Sequence, residues 1–305
     1  MSQPSPENRM KPQPGRGDWI RYVVLVCLWG SAFSLSKIAI AELSPTIVAA
    51  VRIWVAIGLL YGWMMFRKHK LPQIWPKPDV RWLWFLPVGL TGSALPFLLN
   101  AWAMQSLDSG LVAILLATMP LSVALLTHFT IPGDQLSVGK VVGLVLGLFG
   151  IVLLIGPAAL HDLGGPTAIA QFAVLLSAVT YAVNSVLVHF MPETPPSVAA
   201  TGMLLVGGIA LAPFALIDAS HTPMPSLGTI IAVVALALGA TGLGSILYMQ
   251  TVRSAGPSFI ASSNYFVPPF AVFVGVLFLG EKLSVLAFAA LAIIFVGILV
   301  ERKKS

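Results

Sequence analysis

An all-α polytopic membrane protein of ten transmembrane helices, arranged as two inverted five-helix repeats, is the fold this chain predicts. Three observations carry that expectation. Of 305 residues only 9% are charged and 57% are hydrophobic, with a mean hydropathy of +0.92, too little polar surface to keep a soluble domain dispersed. The apolar runs are about 20 residues long, which at about 1.5 Å per residue crosses roughly 30 Å of hydrocarbon. The chain also echoes itself. Gly133-Asp134-Gln135-Leu136-Ser137 returns as Gly280-Glu281-Lys282-Leu283-Ser284, 147 positions on, and Gly150-Ile151-Val152 returns as Gly297-Ile298-Leu299 at the same offset. Upstream, Ser44-Pro45-Thr46 matches Pro195-Pro196-Ser197 at an offset near 151.

The elements follow in order. Residues 1–18 are polar, carry Pro4, Pro6, Pro12 and Pro14, and read as a disordered cytoplasmic tail. Span 1, 19–40, follows Arg16 and Arg21; it is too long for a signal-peptide core and has Lys37 near its end, so it is expected to stay as a membrane helix. Span 2, 45–66, opens at Pro45, where a missing N–H bonds nothing in a first helical turn. Span 3, 81–106, follows Pro72, Pro76 and Pro78; span 4, 109–130, ends at Pro132-Gly133. Span 5, 137–157, closes the first repeat, 19–157, and carries Gly139, Gly143 and Gly147 on one face for close packing. Span 6, 166–190, follows Gly164-Gly165-Pro166 and opens the second repeat, 166–300. Span 7, 196–217, follows Pro195-Pro196; span 8, 226–252, follows Pro223 and Pro225; span 9, 257–279, follows Gly256-Pro257. Span 10, 284–300, precedes a cytoplasmic tail, 301–305. No loop is long enough to hold a soluble core.

Basic residues set the orientation. With the N-terminus inside, the inner segments hold 14 of the 17 Lys and Arg, leaving Lys37, Arg52 and Lys282 outside. Both termini are therefore expected in the cytoplasm. Five spans per half start the second half on the opposite face, which makes the repeat inverted. The net charge of +6 is explained by this bias and implies no nucleic acid. The single Cys27 forms no internal disulfide.

Trp29-Gly30-Ser31-Ala32-Phe33 in span 1, the Gly-Asp/Glu-x-Leu-Ser pattern after spans 4 and 9, and Pro120 and Pro268 inside those spans resemble the drug/metabolite transporter superfamily, in its ten-helix EamA-type members. Within it the chain looks like the YddG-type exporters of amino acids, a bacterial inner-membrane group. The resemblance covers about residues 19–300. It implies a cavity walled by spans 1, 3, 4, 6, 8 and 9, with 5 and 10 peripheral, a function as a multi-pass inner-membrane exporter, and no cofactor.

The charged and polar residues narrow the chemistry. All 11 acids fall in tails, loops or span ends. A mid-span carboxylate is the usual carrier of a proton and partner of a cationic drug, so a neutral or zwitterionic substrate moving down its own gradient is expected. Lys37 and Arg52 are the exceptions among the charges, toward the outer side of spans 1 and 2. Each has two readings: snorkelling or carbonyl pairing, and capture of a substrate carboxylate in an outer vestibule. His69, His128, His161, His189 and His221 sit in loops and at span ends. No HExxH motif, intramembrane aspartate pair or metal-ligand set occurs, which argues against an enzyme; the repeat argues against a scaffold. Gly239-x-x-Gly242-x-Gly244 has no strand before it and is not a nucleotide fingerprint.

Eight mid-span residues are candidates for a substrate cavity: Trp29, Asn100, Trp102, Tyr181, Asn184, Tyr248, Asn264 and Tyr265. Aromatic rings suit apolar side chains and amides suit the ends of a zwitterion. The alternative for each amide is an interhelical hydrogen bond, and for the nearby Ser and Thr residues that alternative is favoured. Pro120 and Pro268-Pro269 either free carbonyls into a cavity or mark kinks. The expected activity is facilitative export of amino acids by alternating access, from a monomer in the lipid bilayer. Export of another metabolite or drug, or of an anionic organophosphate, is the alternative.

Overall fold

The computed structural model describes residues 14–132, 136–161 and 166–280, with single positions at 289, 292, 293 and 296. Span 10, the 301–305 tail, most of the 1–18 tail, and Asp134 and Glu281 of the two echoes lie outside the described residues.

Nine helices run through these residues, and no strand occurs among them. They are α1 (Arg16–Ile40), α2 (Pro45–Phe66), α3 (Arg81–Ala103), α4 (Ser109–Thr130), α5 (Val138–His161), α6 (Pro166–Phe190), α7 (Pro196–Ala219), α8 (Leu227–Ala255) and α9 (Pro257–Leu279). All but α5 are long and apolar enough over their described length to cross a membrane. The chain is thus a multi-pass helical membrane protein.

The helix ends have local causes. Ser44 Oγ accepts the Ile47 N–H at 3.3 Å and Pro45 occupies the first turn of α2; Ser226 Oγ accepts the Thr229 N–H at 3.3 Å at the start of α8. Gly256, at φ 85°, turns α8 into α9, and Gly280, at φ 66°, ends α9; both need a residue without a Cβ. The first helix starts earlier than the sequence predicts. Asp18 accepts the Gly15 N–H at 2.9 Å and an Arg21 N–H at 2.6 Å, so residues 16–18 belong to α1 rather than to the tail.

Four helices are interrupted at mid-depth. A π-helical stretch spans Leu90–Ala94 in α3 and another spans Leu236–Leu243 in α8. In α3 the cause is Pro96, which has no N–H to continue the ladder; in α8 it is the run of Gly239, Gly242 and Gly244. In α4 the helix breaks between Leu116 and Met119, and in α9 a 3₁₀ turn spans Ser262–Tyr265. Pro120 and Pro268 stand just after these breaks.

Packing interleaves the two halves. Helix α1 lies against α8 and α9, α2 against α7 and α8, α3 against α6 and α7, and α4 against α6 and α9. Small residues let backbones meet: Gly202 sits under the ring of Phe85, and Gly89 against the carbonyl of Met203. Helix α5 stands at the edge, against α4. Its Gly139, Gly143 and Gly147 are buried while Val138, Val141, Val145 and Leu148 face out, so the glycine stripe packs within the protomer. Elsewhere large apolar side chains such as Leu59, Phe66, Leu83, Phe172, Phe214 and Phe278 are exposed, as a lipid-facing surface requires.

One end of the bundle is closed by aromatic rings. Trp19 and Phe259 meet edge to face at 5.1 Å, Tyr22 lies 5.3 Å from Phe259 and 6.0 Å from Phe266, and the Tyr22 hydroxyl is 3.2 Å from Ser262 Oγ. At the other end Glu42 accepts the Ser226 N–H at 2.6 Å and its hydroxyl at 2.7 Å. These donors hold the Glu42 carboxyl below the usual range, so this link between the halves persists at neutral pH and is lost only as pH falls through that lowered value.

Candidate functional site

Between the halves lies a cavity that is partly open to solvent. Its wall takes residues from α1, α2, α3 and α4 and from α6, α7, α8 and α9. The helix interruptions explain why polar groups gather there. A π-helical stretch leaves carbonyls without their usual i+4 partners; side chains of the same helix take up those of Pro87, Gly89 and Leu236, and a side chain of another helix takes up that of Val88. Asn184 of α6 donates from Nδ2 to the Val88 carbonyl at 2.8 Å, just before the π stretch of α3. The Tyr248 hydroxyl of α8 donates to Asn184 Oδ1 at 2.9 Å and lies 3.1 Å from Ser185 Oγ. Gly92 gives Asn184 its room, since a Cβ there would lie 2.3 Å from Nδ2. Trp29 packs on Tyr248 with ring centroids 6.0 Å apart.

Seven of the sequence-predicted residues line this cavity: Trp29, Arg52, Asn100, Tyr181, Asn184, Tyr248 and Asn264. Asn264 Nδ2 donates to the Ala261 carbonyl at 3.2 Å and approaches Met119 Sδ at 3.3 Å. Phe33, Phe97, Met104, Met119 and Met203 complete the apolar wall. These were not singled out from sequence; Phe97 carried a usable signal, because it lies three residues before Asn100 and shares its face.

Arg52 is in the cavity wall. Its Nε donates to Thr241 Oγ1 at 3.0 Å, and its guanidinium carbon stands 3.7 Å from the Phe97 ring centroid. No carboxylate pairs with it among the described residues, and none lines the cavity. Lys37 is committed elsewhere. Its Nζ donates to the carbonyls of Met104 and Leu107, each at 2.8 Å, capping the end of α3. It is not among the residues of the described cavity wall.

Trp102 also departs from the expectation. It is 41% exposed on the outer face of α3 and does not line the cavity. Trp102→Ala is therefore expected to leave transport within about twofold of the unaltered protein in a liposome assay, because only a lipid contact is lost. The side chain of Tyr265 lies outside the described residues. Three of the mid-span hydroxyls bond within their own helices: Ser31 to the Cys27 carbonyl at 2.8 Å, Thr118 to Leu115 at 2.8 Å and Thr180 to Ser177 at 2.8 Å. They are satisfied locally rather than between helices. Among the described residues no three His, Cys, Asp or Glu side chains converge on a metal-sized site.

Comparisons with known proteins agree with this architecture. The model described as the EamA-like transporter family matches twice, over residues 18–156 and 168–301. The chain is 28% identical over 272 residues to the uncharacterized inner membrane transporter YedA of Escherichia coli K12, covering 88% of this chain and 85% of that one. It is 26% identical to the uncharacterized transporter YvbV of Bacillus subtilis, covering 97% and 95%. A WAT1-related chloroplastic protein of Arabidopsis thaliana is 24% identical, covering 93% and 70%. A crystal structure at 22% identity superposes with a TM-score of 0.73 over 95% of this chain and 99% of that one, a likeness of fold.

Proposed function

The chain belongs to the EamA-like transporter family and is a membrane transporter; on that premise we propose that it is a facilitative exporter of amino acids. It acts as a monomer in a bacterial inner membrane, with ten helices in two inverted repeats and both termini in the cytoplasm. The observation that carries this reading is the cavity shared by both halves. Among the described residues its wall combines aromatic rings and methionines with amides and one arginine, and it carries no carboxylate. Rings and thioethers suit an apolar side chain, and the amides and the cation suit an α-amino-acid head group.

The inverted repeat is supported by three features. The contact pattern among α1–α4 and α6–α9 is unchanged when the halves exchange places. The π-helical breaks in α3 and α8 begin 146 residues apart, at Leu90 and Leu236. The family model matches each half once. Such halves offer two equivalent ways to close over one central site, which is the structural requirement for alternating access. An organophosphate is a weaker fit: a dianionic phosphate calls for several cations, and Arg52 is the one in the described wall.

The test is purified protein in liposomes, offered labelled phenylalanine, a sugar phosphate and a lipophilic cation. Phenylalanine should equilibrate without an imposed gradient while the other two stay out. Accumulation driven by a pH gradient and abolished by a protonophore would refute the facilitative mode. In a Cys27→Ser background, Ser305→Cys should react with an impermeant thiol reagent only after the cells are permeabilised; labelling of intact cells would reverse the topology.

A further inference from the structure

We propose that Arg52, seated on the ring of Phe97, and Asn100, one helical turn along α3, form a seat for a zwitterion. The guanidinium takes the substrate carboxylate and the Asn100 amide carbonyl takes the α-ammonium. The proposal deepens the amino-acid reading and rests on it for the ammonium, while the carboxylate anchor stands on Arg52 alone.

Arg52 is a charge in the wall of a membrane cavity, a placement that is costly without compensation. Only part of its valence is used. Nε is spent on Thr241 at 3.0 Å, and one face of the guanidinium lies on Phe97 at 3.7 Å. Among the described residues the two terminal nitrogens have no hydrogen-bond partner and no acid neutralises the charge. What remains is the planar edge of terminal N–H groups that binds a carboxylate bidentately. The stack on Phe97 holds that edge in one orientation.

Asn100 presents the complementary lack. It is 8% exposed, lines the same cavity, and its Oδ1 is buried with no hydrogen-bond partner among the described residues. A buried acceptor left unpaired is destabilising; Oδ1 lies beneath the cavity surface, and a turn of the amide toward the cavity lets an incoming ammonium pair with it. Phe97 and Asn100 are three residues apart, so their Cβ atoms are about 5–6 Å apart on one face of the helix. The carboxylate and ammonium of an α-amino acid hang from one carbon, so their two partners must lie close together, and Arg52 meets α3 at Phe97, one turn from Asn100. The side chain then projects toward Trp29 and Tyr248, whose rings pack together across the wall. A cation without a carboxylate meets the unneutralised Arg52 charge and is rejected, so the seat sets specificity by repulsion as well as attraction.

Binding by the purified full chain to L-phenylalanine, 3-phenylpropionate and phenethylamine tests this, read as ligand-dependent thermal stabilisation. The unaltered protein should bind phenylalanine most tightly, phenylpropionate more weakly and phenethylamine not at all. Arg52→Gln should weaken both carboxylates by at least about tenfold, as loss of a charge-assisted pair implies. Asn100→Leu should weaken phenylalanine several-fold and leave phenylpropionate unchanged. If Arg52→Gln fails to stay monodisperse, Arg52→Lys decides, since it keeps the charge but loses the fork and should weaken phenylpropionate several-fold. Unchanged carboxylate binding in the Arg52 variants, no binding of either carboxylate by the unaltered protein, or phenethylamine binding as tight as phenylalanine overturns the seat. Arg52-dependent phenylpropionate binding in a protein that moves no amino acid in liposomes keeps the anchor and removes the amino-acid reading. Equal phenylalanine transport with and without Arg52 does the reverse.

Discussion

Gly202→Leu should leave little folded, monodisperse protein. Gly202 lies where α7 crosses α3, and a Cβ there would stand 2.4 Å from the ring carbons of Phe85. Phe85 is fully buried, at 0% exposure, so its ring has no free space to enter. On the other side of the same crossing, a Cβ on Gly89 would meet the backbone carbonyl of Met203 at 2.6 Å. The two helices therefore cannot separate locally to admit a larger residue without breaking the second contact. Overpacking a tight site costs about 1–3 kcal/mol and more where backbone must move; with backbone on one side and a locked ring on the other, the upper end applies. Gly62→Ala is the matched control. Nothing lies within 4 Å of a Cβ at Gly62, and alanine is the better helix former by about 1 kcal/mol. Size-exclusion profiles and melting midpoints of the two variants should diverge sharply. Equal profiles would show that α3 and α7 do not cross as described.

Asn184→Leu should lower the melting midpoint and abolish transport together. Asn184 bridges three helices: its Nδ2 holds the Val88 carbonyl of α3 at 2.8 Å and its Oδ1 holds the Tyr248 hydroxyl of α8 at 2.9 Å. It is 2% exposed, so water does not replace either partner. A single interhelical bond in a membrane averages only about 0.6 kcal/mol. Here two are lost at once, and a carbonyl beside a π-helical break is left buried, which adds about 1–3 kcal/mol. The loss also frees Tyr248, the ring that Trp29 packs on in the cavity wall. Tyr248→Phe separates the two effects, because Ser185 and Asn184 lose one hydroxyl while the ring stays. It should cost about 1 kcal/mol or less and keep most of the transport. A Tyr248→Phe protein as damaged as Asn184→Leu would locate the effect in the hydroxyl rather than in the three-helix bridge.

Among the described residues, the sequence by itself determined the spans and their punctuation. Length and hydropathy suffice for that, because a membrane helix must satisfy its own backbone over a fixed thickness. Helices α2, α4, α6 and α9 begin and end where the Pro and Gly positions put them. Trp29, Asn100, Asn184 and Tyr248, chosen because they lie mid-span, line the cavity. The sequence did not carry azimuth. Successive residues turn by about 100°, so Asn100 and Trp102, at nearly the same depth, point to opposite sides of α3. Only the packing of α3 against α6 and α7 decides that the first faces the cavity and the second faces out. The cations were settled in the same way. Lys37 and Arg52 look alike as charges in apolar runs, and the approach of the α3 end to Lys37 turned one into a cap. The packing of α2 beside α8 placed the other, with Thr241 and Phe97, in the wall of the cavity. A side chain's depth is a property of its own helix, but its partner is a property of the neighbours, and those are set by how the two halves interleave.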